Sequence, residues 1–177
     1  IFKRNENLHS KDLLERNIKN KVIFISGAGG SIGSEICLQC LNLKPKKIIL
    51  FEQNEYALFK IIQKLKKYNA SDIEYKSYLG SINDISILEK IFEIEKPYTI
   101  FHTAAHKHVS IVENNIVNSF VNNVFGTYNL AKIAIKNQVS HFVNISTDKA
   151  VNPSNFMGAT KRLSEMLIQS ISKIILE

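Results

Sequence analysis

The sequence predicts an α/β fold in which a doubly wound parallel sheet is flanked by helices. Short apolar segments typical of buried strands alternate with segments of helical periodicity along the chain. This alternation favours a parallel sheet over a helical bundle or a β-sandwich. A glycine-rich turn joins the first apolar segment to the first helical one. We expect the strand order 3-2-1-4-5, because right-handed crossover connections leave few other topologies.

The elements follow one another at regular intervals, with no internal repeat and no linker. The strands are predicted at 21–26, 46–52, 72–80, 98–105 and 141–147. The helices are predicted at 12–16, 31–43, 54–67, 114–137 and 155–175, with a short additional one that Asp84 begins. Residues 1–20 form a polar lead-in in this interpretation. Residues 21–177 then form a single domain.

Composition excludes several classes of protein. A chain of 177 residues with 45% hydrophobic content is long enough for one domain with a core. The net charge is +7, but the lysines are scattered without interleaved aromatic residues, which disfavours nucleic-acid binding and suits a polyanionic small substrate. No segment approaches the roughly 20 apolar residues of a membrane span. Whether flanking sequence anchors the native protein to a membrane is left open.

Cysteine usage points to a reducing compartment. The only cysteines, Cys37 and Cys40, fall inside the predicted second helix, away from its N-terminal end. We expect both side chains to face the core, not to form a redox pair or half of a zinc site. The lack of a disulfide framework is typical of a cytoplasmic protein.

The first motif with chemical meaning is SGAGGSIGSE at 26–35. Gly27 is expected to form the turn, Gly30 to admit a pyrophosphate at the helix N-terminus, and Gly33 to let the helix pack on the strand. Glu52 closes the second strand, where a carboxylate hydrogen-bonds ribose hydroxyls and repels a 2′-phosphate. The motif therefore predicts a Rossmann dinucleotide site that prefers NAD to NADP.

A second motif raises a chemical question. In NISTDKAVNPSNFMGATKR, at 144–162, a dehydrogenase-like enzyme should carry a proton-exchanging tyrosine four residues before Lys161, but the residue is Met157. A thioether cannot exchange a proton. Either the site is inactive, or the chemistry has moved to Thr147, Asp148 and Lys149.

Five segments resemble a known family. GAGGSIGSE, FEQNEYALF, AAHKHVSIVENN, NNVFGTYNLA and STDKAVNPSNFMGATKRLSEML are similar to the extended short-chain dehydrogenase/reductase superfamily. More narrowly, they resemble its UDP-N-acetylglucosamine 4,6-dehydratase branch, which serves bacterial capsule, O-antigen and glycan synthesis. The likeness covers nearly all of residues 20–170. Ser81 stands where relatives usually carry an aspartate that meets the adenine amine.

The resemblance implies a dehydration that uses bound NAD. Hydride leaves the sugar C4, a base removes the C5 proton, an acid protonates the departing C6 hydroxyl, and hydride returns to C6. By resemblance Asp148 is the acid, Lys149 is the base, Thr147 holds substrate or water, and Lys161 hydrogen-bonds the nicotinamide ribose. A base lysine must be partly neutral, so burial or a cationic neighbour such as Lys161 should lower the pKa of Lys149. The C4 hydroxyl proton is expected to pass to Asp148 directly or along a water held by Thr147.

The remaining candidate residues flank these groups. The cofactor site is expected to comprise Gly27, Gly30, Ser31, Ile32, Gly33, Glu52, Ser81, Ile82, Ala104, Ala105 and Lys161. Candidate substrate contacts are Lys107, His108 and Asn155. No metal site is expected, because His106 and His108 have no evident third ligand. Asn123 is expected to tie the long helix to the fourth strand through backbone hydrogen bonds.

Other functions remain open at this point. The missing tyrosine favours a catalytically silent NAD-binding sensor or scaffold, whereas an epimerase or reductase on the same scaffold would ordinarily require that tyrosine. The superfamily resemblance implies a homo-oligomer that forms through the helices at 114–137 and 155–175. The chain ends soon after the second of these helices, where relatives continue into a sugar-nucleotide region. We therefore expect NAD binding by the 177 residues alone, but little turnover of UDP-N-acetylglucosamine.

Overall fold

The computed structural model describes residues 11–68 and 73–176, which contain a parallel five-stranded sheet between two layers of helices. The strands are β1 (Val22–Ser26), β2 (Lys47–Glu52), β3 (Glu74–Leu79), β4 (Thr99–His102) and β5 (His141–Asn144). Their order is β3-β2-β1-β4-β5, and every neighbouring pair is parallel. The predicted fold class and strand order are confirmed.

Eight α-helices and two shorter helical turns surround this sheet in the described ranges. The helices are α1 (Lys11–Ile18), α2 (Ser31–Asn42), α3 (Glu55–Lys67), α4 (Ile85–Glu95), α5 (Val109–Glu113), α6 (Ile116–Phe120), α7 (Gly126–Lys136) and α8 (Phe156–Leu176). A π-helical turn at Val121–Phe125 joins α6 to α7, and a 3₁₀ turn at Asp148–Ala150 precedes α8. Asn54 and Asp84 cap α3 and α4 with their side chains, at the positions where the sequence predicts that these helices begin.

Several predicted bounds differ from the structure. The fourth and fifth strands, predicted at 98–105 and 141–147, end early at His102 and Asn144. In both cases the chain leaves the sheet to build the candidate site. The helix predicted at 114–137 is interrupted by the π-helical turn. Residues 1–10 of the predicted lead-in and residue 72 of the predicted third strand lie outside the described ranges.

The core lies on both faces of the sheet. In β1, Ile23 and Ile25 contribute to the cluster beneath α2 and α3, whereas Phe24 belongs to the cluster beneath α4 and α7. Strand β2 alternates in the same way. Strands buried on both faces are typical of parallel sheets. Ile18 of α1 also belongs to the first cluster, so this helix packs with the domain that follows it.

The strand register aligns the carboxyl ends of the four strands nearest the site. Ser26 at the end of β1 lies opposite Phe51 of β2 and His102 of β4, and His102 lies opposite Asn144 of β5. The segments that follow these residues therefore leave the sheet at one edge. Ligands of doubly wound sheets bind at this edge.

The cysteines lie where the sequence predicts. Cys37 and Cys40 are buried in α2 as free thiols. Burial raises the pKa of Cys40 to about 12 and also raises the pKa of Cys37. Both side chains therefore act as apolar core residues. Among the described helices, none combines the length and the apolar character that crossing a membrane requires.

Candidate functional site

The glycine-rich turn has the geometry of a phosphate-binding turn. Gly27 has a φ of 68°, and a Cβ added there would lie 2.8 Å from the Cα of Ala104. A Cβ on Gly33 would lie 2.1 Å from the carbonyl oxygen of Gly27. A Cβ on Gly30 would approach the same oxygen at 3.2 Å and otherwise point into open space among the described residues. The close approaches at Gly27 and Gly33 leave no room for a side chain, and the space beside Gly30 suits a pyrophosphate.

The N-terminus of α2 is free to receive an anion. Its N-cap residue is Gly30, with no side-chain cap from the described residues and no acidic residue in the first turn. The first amide groups of a helix have no partners within the helix, and the helix dipole gives this end a partial positive charge. An anion beside Gly30 would accept hydrogen bonds from these amides and would interact favourably with the partial positive charge.

Glu52 is buried at the end of β2 and held by the backbone. One carboxylate oxygen accepts a hydrogen bond from the Gly29 amide at 3.1 Å, and the other accepts one from the Asn54 amide at 3.0 Å. The side chain is 8% exposed. These contacts fix the carboxylate beside the glycine-rich turn, with lone pairs left for ribose hydroxyls.

A cleft runs along the carboxyl edge from the glycine-rich turn to β4. Predicted residues that line it are Gly27, Gly30, Ser31, Ile32, Gly33, Glu52, Ile82, Ala104, Ala105 and Lys107. Sequence reasoning missed Phe51, Gln53, Gly80, Thr103 and Asn122, which also line it. Ser81 is outside this lining, and its hydroxyl oxygen accepts a hydrogen bond from the Asn83 amide at 3.2 Å.

A second cavity opens next to the cleft and shares part of its wall. The residues common to both are Ile32, Thr103, Ala105 and Lys107. The second cavity is completed by Ile145, Ser146, Thr147, Lys149, Met157 and Lys161. The structure thus brings the predicted Thr147, Lys149 and Lys161 together around Met157. This arrangement leaves room for a small reactant between a bound dinucleotide and these polar groups.

Lys161 is a buried cation in this cavity. It is 6% exposed. Burial lowers its pKa to about 8, although the nearby carboxylate of Glu165 acts in the opposite direction. Slightly above neutral pH, a substantial fraction of the Lys161 side chains is therefore neutral, whereas an ordinary surface lysine stays protonated.

The turn that carries Thr147, Asp148 and Lys149 is much more exposed. The side chain of Asp148 is 87% exposed and that of Lys149 is 50% exposed, with 3.4 Å between the Lys149 ammonium and an Asp148 oxygen. The Thr147 hydroxyl donates a hydrogen bond to Asp148 at 2.9 Å. This hydrogen bond and the charge of Lys149 lower the pKa of Asp148. Lys149 is therefore not buried as the sequence analysis expected. Asp148 is a carboxylate that lies outside the cavity lining.

A buried chain of hydrogen bonds lies beneath Lys161. The Ser26 hydroxyl donates to Nδ1 of His102 at 2.7 Å, and Nε2–H of His102 donates to the Thr127 hydroxyl at 2.8 Å. These directions follow from Thr127, which donates its own proton to the carbonyl of Asn123 at 2.7 Å. Burial and the charge of Lys161 lower the pKa of His102 to about 3. His102 is therefore neutral at physiological pH.

Asn123 connects this chain of hydrogen bonds to α8. Its side-chain oxygen accepts the His106 amide at 2.8 Å, and its side-chain nitrogen donates to the His106 carbonyl at 2.9 Å. The same nitrogen donates to the Thr160 hydroxyl at 3.0 Å, and the Ser164 hydroxyl donates to the Asn123 carbonyl at 2.7 Å. The predicted structural role of Asn123 is confirmed. Asn123 lies in the π-helical turn, a feature that is common at functional sites.

Two predicted substrate contacts lie elsewhere. His108 is exposed, and its backbone carbonyl begins α5. Asn155 caps α8 by accepting a hydrogen bond from the Gly158 amide at 2.8 Å, and it lines a separate open groove beside Glu113. Their substrate roles stay predictions.

In the described ranges, no group of three or more His, Cys, Asp or Glu side chains is arranged to hold a metal ion.

Thr103 and Asn122 were missed by the sequence analysis for different reasons. Thr103 follows β4, and its hydroxyl donates to the carbonyl of Ser26 at 2.7 Å, which closes the glycine-rich turn onto the sheet. Its position at the carboxyl end of a strand was a usable signal. Asn122 faces the cleft from the π-helical turn. An ideal helical pattern places side chains 100° apart and gives no sign of this change.

Comparisons with known proteins agree with this architecture. Residues 23–177 match the model of a family described as polysaccharide biosynthesis protein. The chain is 49% identical over 162 residues to a capsular polysaccharide biosynthesis protein, CapD, of Staphylococcus aureus, covering 91% of this chain and 27% of that protein. It is 33% identical over 155 residues to a UDP-N-acetylglucosamine 4,6-dehydratase (inverting) of Campylobacter jejuni, covering 87% of this chain and 44% of that protein.

Solved structures share the fold. Pen from Bacillus thuringiensis superposes with a TM-score of 0.80 at 34% identity, covering 87% of this chain and 47% of that one. The Bordetella bronchiseptica enzyme WbmG, solved in complex with NAD, shares the fold with a TM-score of 0.72 at 22% identity over 86% of this chain and 50% of that one. The chain spans half or less of the length of each of these proteins. The resemblance found in the sequence is confirmed, and the chain belongs to the polysaccharide biosynthesis protein family.

Proposed function

We propose that this chain is the cofactor-binding and catalytic part of an NAD-dependent nucleotide-sugar 4,6-dehydratase, a hydro-lyase that acts on UDP-N-acetylglucosamine for surface polysaccharide or glycan synthesis. The observation that carries the proposal is the second cavity, where Thr147, Lys149 and Lys161 surround Met157 beside the dinucleotide cleft. Similarity to the Campylobacter dehydratase and the Staphylococcus capsule protein supports the reaction class and the setting.

The cleft residues fit NAD. The space beside Gly30 and the uncapped N-terminus of α2 suit a pyrophosphate, and Glu52 lies where ribose hydroxyls would bind. NAD, when bound, would supply a hydride acceptor that returns the hydride later in the cycle. Lys161 would hydrogen-bond the nicotinamide ribose and orient it toward the second cavity. With Glu52 as the charged partner of the ribose, NAD is favoured over NADP.

The proton transfers can be assigned to the exposed turn. As C4 is oxidised, its hydroxyl proton passes to the Asp148 carboxylate, because Asp148 is ionised before substrate binds. Lys149 acts as the base that removes the C5 proton, and protonated Asp148 gives its proton to the departing C6 hydroxyl, which leaves as water. Lys149 then returns its proton to C5, while NAD would supply the hydride for C6. The cycle releases one water and returns both side chains to their starting forms.

One observation favours a second function. Asp148 and Lys149 are exposed and contact each other, and Met157 occupies the position of the usual proton-exchanging tyrosine. A catalytically silent NAD-binding sensor or scaffold would keep the cleft and have no use for these groups. An active enzyme requires substrate to cover the turn and exclude water from it.

The protein is further proposed to self-associate through α6–α7 and α8. Large apolar side chains on these packed helices are exposed, including Val117 at 73%, Phe125 at 51% and Met166 at 50%. An apolar surface of this kind on adjacent helices marks an interaction site. A second copy of the same chain is the proposed partner, because the same surface on both copies satisfies two-fold symmetry.

The function is tested by product analysis with the protein in its natural flanking sequence. Incubation with UDP-N-acetylglucosamine and NAD should yield a product lighter by one water, detected by mass spectrometry. Asp148→Asn keeps the size of the side chain but cannot carry the transferred proton, so dehydration should fall by roughly 10²–10⁴-fold while NAD binding persists. A wild-type protein that binds NAD and releases no such product supports the scaffold instead. Unchanged turnover in the variant excludes Asp148 from the chemistry.

Cofactor preference is tested at Glu52. Glu52→Ser removes the carboxylate and both of its backbone contacts, whereas Glu52→Gln keeps the size and one acceptor without the charge. Both changes should improve NADP binding relative to NAD by roughly tenfold, equal to about 1.4 kcal/mol. The serine variant should also bind NAD more weakly than the glutamine variant. Fluorescence titration gives the dissociation constants. Equal binding of NAD and NADP by the unchanged protein contradicts the role of Glu52.

The burial of Lys161 predicts that replacing it stabilises the fold and removes the activity. Its pKa in the folded protein, about 8, lies below the ordinary 10.5, so burying the protonated side chain destabilises the fold below pH 8. Lys161→Met should raise the free energy of unfolding at pH 7 by roughly 1–3 kcal/mol and abolish dehydration. This advantage should shrink as pH rises from 8 toward 10.5, where the folded wild type no longer holds the proton.

Urea unfolding at pH 7 and pH 9.5 measures the effect of Lys161→Met. The matched control is Lys132→Met, which replaces an exposed lysine on α7 and should change stability little at either pH. A Lys161→Met variant that is less stable than wild type at pH 7 contradicts the interpretation.

Self-association is tested by light scattering. Phe125→Glu with Met166→Glu places charges in the apolar surface and should halve the measured mass. Ile94→Glu is the control, because Ile94 is 68% exposed on α4 and outside this surface. A monomeric wild-type protein excludes the proposed dimer.

A further inference from the structure

We propose that Gly158 is a positioning residue, and this proposal rests on the proposed function. Because Gly158 has no side chain, α8 can lie against the carbonyl of Lys149. This contact fixes the turn at 147–149 relative to Lys161. Gly158 touches neither the cleft nor the second cavity. It acts only through the two segments that it holds together.

The contact between α8 and the turn is a contact between backbones. A Cβ added to Gly158 would lie 2.2 Å from the carbonyl oxygen of Lys149 and 3.0 Å from its carbonyl carbon. It would also lie 3.3 Å from the Cβ of Pro153. Favourable contacts between heavy atoms begin at about 3.5 Å. Since the main obstacle is backbone, no rotation of a side chain can relieve the overlap.

The turn has few other supports. Within the described residues its backbone hydrogen bonds are local: the Ala150 amide donates to the Thr147 carbonyl at 3.1 Å, and the Val151 amide donates to the Asp148 carbonyl at 3.0 Å. The side chains of Asp148 and Lys149 are exposed, and Ala150 is the buried residue of the 3₁₀ turn. The position of the turn therefore depends on its contact with the first turn of α8.

Helix α8, in contrast, is anchored at both sides of Gly158. The Phe156 amide donates to the Glu113 carboxylate at 2.7 Å. One turn later, Thr160 and Ser164 are hydrogen-bonded to Asn123. A methyl group at Gly158 would therefore displace the exposed turn instead of the helix. Asp148 and Lys149 would move, and Lys161 would stay in place.

This asymmetry gives a distinctive expected phenotype. Displacement of a reacting group by about 1 Å can cost roughly 10²-fold in rate. Gly158→Ala should therefore lower kcat for dehydration by roughly 10²-fold, with the dissociation constant of NAD and the KM of the sugar nucleotide changed less than about threefold. Alanine is a better helix former than glycine, so a general loss of helix stability does not account for such a result.

The experiment measures kcat, KM and NAD affinity in the protein with its natural flanking sequence, together with hydrogen exchange at the Ala150 and Val151 amides. In Gly158→Ala these two amides should exchange at least about tenfold faster, which reports the loosened turn without any need for turnover. Ser170→Ala is the matched control: it also improves helix propensity on α8, at an exposed position, and should leave all four measurements unchanged.

Glu113→Ala is a second test of whether the contact between α8 and the turn matters. It can be used if Gly158→Ala does not fold. Glu113 is exposed, and its loss frees the first turn of α8, so kcat should fall by roughly tenfold with NAD binding retained. A wild-type protein without dehydratase activity defeats the proposed function, yet faster exchange at Ala150 and Val151 in Gly158→Ala still supports the positioning role. Unchanged exchange in that variant overturns the role whether or not the enzyme is active.

Discussion

The candidate site depends on the buried hydrogen bonds that meet at Asn123. They join β1 and β4, through Ser26, His102 and Thr127, to the π-helical turn and to α8. Because the Thr127 hydroxyl donates to the Asn123 carbonyl, the directions of the bonds from Ser26 through His102 to Thr127 are determined. Buried polar networks of this kind cost stability when any member lacks a partner, and they specify one arrangement when all are satisfied. Here that arrangement brings Lys161 to the end of the sheet.

The network also explains how a lysine can be buried beside a histidine. A protonated His102 would repel Lys161 and would lose its acceptor role toward Ser26. Burial and the charge of Lys161 hold His102 in the neutral form, with its single ring proton directed to Thr127. Lys161 then remains the one ionisable group of this pair near neutral pH. The same burial that destabilises the fold gives Lys161 a proton that can be lost under mild conditions.

The sequence predicted the framework better than the site. Strand order, the glycine-rich turn and the helix starts near Asn54 and Asp84 depend on local periodicity and on single residue types, which a sequence displays directly. The exposure of Asp148 and Lys149 depends on where the chain leaves β5, three residues earlier than expected. Asn122 reaches the cleft because of the π-helical turn, and no local pattern announces a change of helical register.

Met157 gives the chemical question of the sequence a physical answer. Its side chain is buried at 4% exposure and lines the cavity one helical turn before Lys161. As an apolar side chain it cannot hydrogen-bond the ammonium of Lys161, whereas a hydroxyl there would hydrogen-bond that group and favour its charged form. Met157 therefore fits the proposed division of roles, in which Lys161 would bind the cofactor and the turn at 147–149 would carry the proton transfers. The titratable side chains of that turn are Asp148 and Lys149, and the Thr147 hydroxyl braces the turn by donating to the Asp148 carboxylate and accepting from the backbone amide of Lys149.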